Sequence, residues 1–124
     1  MVYANRKVLV IDDESAIVRF FQNTLHGLEY EVVGAGSGEE GIAEFRKGGV
    51  ELLFLDIKMR EMNGLDVLKA IRQIDFNVPI YVISGFYENY FDQLKTLRDE
   101  GYEFELVRKP LSIDVIRTIV KGLS

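Results

Sequence analysis

Apolar residues follow two alternating rhythms along this chain. Short runs of strand length recur: KVLVI (7–11), YEVVGA (30–35), ELLFLD (51–56), PIYVIS (79–84) and FELVR (104–108). Between them the spacing changes to three- and four-residue steps, the rhythm of a one-sided helix. Ile17, Phe20, Phe21, Thr24, Leu25 and Leu28 make the first such face. The second helix opens at SGEE, with Ser37 as N-cap and Glu40 completing a capping box, and Gly48-Gly49 ends it. Asn63 caps a third, whose buried stripe reads as Leu68, Ile71 and Ile74. A fourth is expected over 88–100 and a fifth over 112–122, capped by Ser112.

Regular alternation of strand and helix predicts parallel strands joined by right-handed helical crossovers. The expected fold class is α/β, a doubly wound five-stranded parallel sheet flanked by five helices. Helices on both faces explain why 7–11 and 51–56 are apolar at successive positions. In such sheets ligands bind beyond the carboxyl ends of the strands, at a topological switch point.

Those ends carry the candidate chemistry. In VLVIDDES (8–15) the first strand runs straight into Asp12, Asp13 and Glu14, and the third strand ends on Asp56. If the two strands are neighbours, three carboxylates converge. Like charges ~4 Å apart repel by about 4 kcal/mol at an effective dielectric of 20. Oxygen-only ligation suits a hard divalent cation, and Mg²⁺ needs only one or two protein carboxylates. The plainer reading is that Asp12-Asp13 cap the helix beginning at Glu14-Ser15 or are solvated. Asp56 could likewise cap a helix or turn. Ser84-Gly85 at the fourth strand's end reads equally as a turn, and Lys109 before Pro110 as a solvated lysine.

Composition narrows the classes. A chain of 124 residues suits one domain over 1–124, with no output domain expected after Leu123-Ser124. A net charge of −5 argues against a nucleic-acid-binding surface over the whole domain. There are no cysteines, hence no disulfide framework and no thiolate metal site. MVYANRK lacks the apolar stretch of a signal peptide, and no run approaches a membrane span, so a cytoplasmic location without membrane contact is expected. His26, the single histidine, reads as a surface residue of the first helix.

Taken together, Asp12-Asp13, LFLDIKM around Asp56, ISG around Ser84 and RKP around Lys109 resemble the receiver domain of two-component response regulators, the chemotaxis-regulator type. The resemblance covers essentially the whole chain and implies the flavodoxin-like strand order 2-1-3-4-5. It implies Asp56 as phosphoacceptor, taking a phosphoryl group from a histidine kinase or a histidine phosphotransfer protein. It implies Mg²⁺ (or Mn²⁺) held by Asp13, Asp56 and the backbone carbonyl of Lys58, with Asp12 joining through a water. Lys109 would neutralise the phosphoryl oxygens, aimed by a cis bond to Pro110, and Ser84 would donate its hydroxyl to the new group. Such a domain is a signalling switch that catalyses only its own phosphorylation and dephosphorylation. Its implied partners are a downstream protein or a linked output domain, and a second copy through the fourth helix, fifth strand and fifth helix; direct nucleic-acid binding is not implied.

Four features depart from the family pattern. Arg60 stands in MREMNG where proline is common, which implies a changed loop around Met59, Met62 and Gly64. Leu106 occupies the position of a switch aromatic, with Phe104 or Tyr102 as candidate substitutes. The span from Ser84 to Lys109 is long, which implies extra length in the fourth helix or its loops. GFYENYF gathers Phe86, Tyr87, Tyr90 and Phe91, of which one stripe can be core and the other an exposed patch. Phe86 and Lys58 would also bear on water access to the phosphoryl group. Two other functions stay open: a phosphorylation-independent interaction module, motivated by Leu106, and a Mg²⁺-dependent phosphatase using an aspartyl-phosphate. Against the phosphatase, the acids are adjacent rather than spaced as DxD, and no cap domain is present.

Overall fold

A computed structural model of the chain describes residues 6–58, 63–85 and 90–123. Strands and helices alternate as the periodicity predicts: β1 (Lys7–Ile11), α1 (Ser15–Thr24), β2 (Glu31–Ala35), α2 (Gly38–Arg46), β3 (Val50–Asp56), α3 (Gly64–Ile74), β4 (Ile80–Ser84), α4 (Phe91–Asp99), β5 (Glu105–Arg108) and α5 (Ile113–Lys121). The five strands form one parallel sheet in the order β2-β1-β3-β4-β5.

Burial follows from that arrangement. Val8, Leu9, Val10 and Ile11 are all fully buried, yet alternate between two cores. Leu9, Ile11, Leu53 and Leu55 meet Phe45 of α2, Leu68 and Ile71 of α3, and Leu94 and Leu97 of α4. Val8, Val10, Leu52 and Phe54 meet Phe21 of α1 and Ile116 and Val120 of α5. Glycine sets how closely α2 approaches: a Cβ on Gly41 would stand 2.3 Å from Ile11 Cδ1.

The caps are those read from the sequence. Ser37 Oγ accepts from the Glu40 amide, Asn63 Oδ1 from Leu65, and Ser112 Oγ from Val115. Glu40 reaches back to the amide of Gly36, one residue before the cap. Gly48 and Gly49 both take positive φ, 89° and 84°, where α2 gives way to β3. α1 ends at Thr24, and Arg117 of α5 donates to the Thr24 carbonyl at 2.7 Å, pinning the two helices across the chain.

Two expectations need correction. Ile74 does not continue the buried stripe of α3; it is 42% exposed. At about 100° per residue it lies roughly 120° round the helix from Leu68, and Arg72 takes the inward position instead. Phe104 and Tyr102 cannot serve the switch position, because they precede β5 at the amino edge of the sheet, where both pack against the core. Of the span from Ser84 to Lys109, α4 takes nine residues, and 86–89 in the preceding loop lie outside the described residues. Met59, Arg60, Met62, Phe86 and Tyr87 lie outside the described residues. Of the remaining aromatics, Tyr90 packs against the core and Phe91 is exposed.

Candidate functional site

β1 and β3 are neighbours, and Ile11 pairs with Leu55. The next residues, Asp12 and Asp56, therefore leave the sheet side by side. One carboxylate oxygen each from Asp12, Asp13 and Asp56 lies within 4.8 Å of the others. Asp56 in turn pairs with Ile83 on β4, and Ser84 pairs with Arg108 on β5. The Lys109 amide donates to the Ser84 carbonyl, and the Lys109–Pro110 bond is cis. Lys109 Nζ stands 3.9 Å from Asp56 Oδ2. Five of the six residues singled out from the sequence thus converge through their side chains or strand ends. The sixth, Lys58, sits two residues past Asp56.

Backbone donors hold the acids in place. Asp12 Oδ1 accepts from the Glu14 amide at 2.8 Å, and Asp56 Oδ1 from the Lys58 amide at 3.1 Å. These short turns point one oxygen of each carboxylate at the chain and leave the other toward the pocket. Asp12, Asp56 and Ser84 are each at most 4% exposed. Burial pushes the Asp12 carboxyl up from 3.8 to about 6, the Glu14 amide opposes the rise, and the charge of Asp56 adds to it. Burial likewise raises Asp56, opposed by the Lys58 amide and Lys109, with Asp13 and Glu14 adding to the rise.

The donor set fits a hard cation. Asp12 Oδ2 is buried and has no hydrogen-bond partner. A buried carboxylate oxygen without a partner is costly unless a charge or donor meets it. Together with the neighbouring acids it offers oxygen ligands only, the set that Mg²⁺ prefers.

One contact escaped the sequence reading. A Cβ on Gly64 would stand 2.5 Å from the Asp56 carbonyl oxygen and 2.6 Å from Ile57 Cα. The Gly64 amide also donates to the Ile57 carbonyl. α3 therefore starts flush against the backbone that carries Asp56. The signal was present as the NG pair, legible only as a helix cap and turn. Gly64 is required there for close approach, since no φ constraint applies.

A doubly wound parallel sheet with three acids and a lysine at its carboxyl edge defines a flavodoxin-like α/β domain built around an acidic pocket. The sequence matches the response regulator receiver domain over residues 8–121, so the chain belongs to that family of two-component signalling. It is 30% identical over 119 residues to the alkaline phosphatase synthesis transcriptional regulatory protein PhoP of Bacillus subtilis, covering 96% of this chain and 48% of that protein. It is 29% identical over 117 residues to the transcriptional regulatory protein TrcR of Mycobacterium tuberculosis, covering 94% and 44%. The chain thus spans about half the length of these relatives. Among solved structures, chemotaxis protein CheY4 of Vibrio cholerae superposes with a TM-score of 0.81 at 24% identity, covering 96% of this chain and 98% of that one. A CheY-like receiver domain protein from Methanospirillum hungatei gives 0.82 at 23%, covering 95% and 93%. These two likenesses concern the fold. No described helix is long and apolar enough to cross a membrane.

Proposed function

We propose that the domain accepts a phosphoryl group on Asp56 and switches a protein-binding face in response. The carrying observation is the gathering of Asp12, Asp13 and Asp56 within 4.8 Å, with an unpartnered buried oxygen on Asp12. Asp13, Asp56 and the Lys58 carbonyl would hold Mg²⁺ directly and Asp12 through a water. When bound, the cation supplies charge neutralisation between two anions that must meet. The donor is a phosphohistidine of a histidine kinase or phosphotransfer protein. An Asp56 oxygen forms the new P–O bond as the P–N bond breaks, and the departing imidazole keeps the electron pair and takes a proton. Lys109, already facing Asp56 Oδ2, offsets charge that builds on the phosphoryl oxygens. Ser84, at the end of β4, donates to the phosphoryl group once it is present and biases the β4 end toward the site.

The readout is protein contact through α4, β5 and α5, with a downstream protein, a linked output domain or a second copy. Exposed Phe91, Leu106, Ile113 and Val115 support this face. With Leu106 in the third position before Lys109, the switch works without an aromatic there.

The test is intact-protein mass after incubation with acetyl phosphate. One added phosphoryl group is expected with Mg²⁺, none in chelator, and none in Asp56→Asn. Because some receivers refuse small donors, beryllofluoride binding is measured in parallel. Failure of both in the presence of Mg²⁺ would overturn the reading in favour of a phosphorylation-independent module.

A further inference from the structure

At the opposite, amino edge of the sheet lies a cleft of about 610 Å³ between the α3–β4 and α4–β5 connections. Its size is that of a ligand or peptide side-chain pocket. Phe76 and Pro79 from the first connection, Glu103 and Glu105 from the second, and Arg72 and Arg98 are among its lining residues. We propose that this cleft docks a basic segment of a partner protein, with one apolar side chain between Phe76 and Pro79 and flanking lysines or arginines on Glu103 and Glu105.

Three observations carry the choice of occupant. Phe76 is 70% exposed, more than any other large apolar residue described, and sits in a polar connection, not on a helix face. The two guanidiniums are already committed. Arg72 is 3% exposed and donates to the carbonyls of Glu103, Asp75 and Val78. Arg98 donates to the Phe104 carbonyl and lies over the Phe104 ring. Arg72 has thus spent its donors inside the chain, while Arg98, exposed, is held against Phe104 by one hydrogen bond and its ring contact. The segment DEGYEFE (99–105), by contrast, carries Asp99, Glu100, Glu103 and Glu105, all exposed, and no base. None of these four joins a salt bridge among the described residues. An acidic partner would be repelled by this rim, and a purely apolar one would leave its carboxylates beside a dry contact. A basic segment with an apolar anchor satisfies both halves of the cleft.

The face is separate from the acidic pocket, so the two can be told apart in one experiment. The probe is a capped pentapeptide with a central leucine between two pairs of arginines, titrated into ¹⁵N-labelled protein in chelator. Amide shifts are expected to centre on residues 74–79 and 98–105. A double variant, Glu103→Gln with Glu105→Gln, should weaken binding about fivefold. Phe76→Ser should weaken it too, and a pentapeptide with glutamates for arginines should not bind. Both sets of substitutions fall on exposed side chains, and an unchanged thermal midpoint certifies their folding. Shifts centred on Asp12, Asp13 and Asp56, shifts spread over the surface, or no loss in the double variant would each overturn the proposal.

Discussion

The two edges of the sheet solve the problem of buried charge in opposite ways. At the amino edge a single guanidinium, Arg72, is buried under carbonyls that all accept from it. At the carboxyl edge two nearly buried carboxylates stand beside each other, and one of their oxygens has no partner. The buried charge at the first edge is satisfied within the chain. The second is complete only when something from solution arrives. A buried oxygen left unmet at one end, while the buried charge at the other is met, marks the carboxyl edge as the place where a cation or donor would be stabilised.

The comparison breaks hardest at the complete edge. Replacing Arg72 with Met leaves the buried carbonyl of Val78 and the partly buried bonds to Glu103 and Asp75 without their donor. A loss of about 3 kcal/mol of unfolding free energy is expected, read from urea denaturation. A loss below about 1 kcal/mol would mean that water replaces the guanidinium and that the edge is not sealed.

Gly64→Ala probes the joint between α3 and the strand that carries Asp56. The new Cβ meets backbone, not a flexible side chain, so Asp56 and Ile57 must shift. The expected cost is about 2 kcal/mol, together with slower gain of mass from acetyl phosphate. A variant as stable and as reactive as the parent would show that the loop accommodates the methyl group freely.

The smallest effect sharpens the comparison at the incomplete edge. Asp12 titrates near 6 in the folded chain against 3.8 in the unfolded reference. Between those values the folded form holds more protons, so its stability rises as pH falls and is lost as pH rises through 6. Asp56 shifts in the same direction. In chelator the unfolding free energy should gain about 1 kcal/mol between roughly pH 7 and pH 5 from Asp12 alone. Asp12→Asn should flatten that gain and weaken stabilisation by Mg²⁺. A parent protein that loses stability over this range would contradict the repulsive cluster.

Much of this architecture was legible because local rules and global fold agree. The strands followed from apolar runs, and Ser37, Asn63 and Ser112 announced three helix starts by chemistry alone. The convergence of Asp12 with Asp56 was a different matter. It depends on β1 lying next to β3, and no periodicity encodes strand order; the resemblance supplied it. Ile74 and Arg72 show where patterning fails. Three-residue steps drift round a helix, so an apolar residue at the last turn slid outward while an arginine took the core position. Carbonyls of the turn after α3, Asp75 and Val78, and of Glu103, 31 residues on, make that arginine acceptable, and no apolar pattern announces them. The place of Phe104 was misjudged for a related reason. Its direction is decided by Arg98 and the core behind it, not by its distance from Lys109.

The strand order also has a consequence for synthesis. β2, β1 and β3 are contiguous in the sheet and are the first three strands of this domain to be synthesised. The nascent chain thus holds Asp12, Asp13 and Asp56 before Lys109 has been added. Any early pairing of those strands brings the acids together before Lys109 can face Asp56, so the counter-charge it gives the finished domain is missing at that stage.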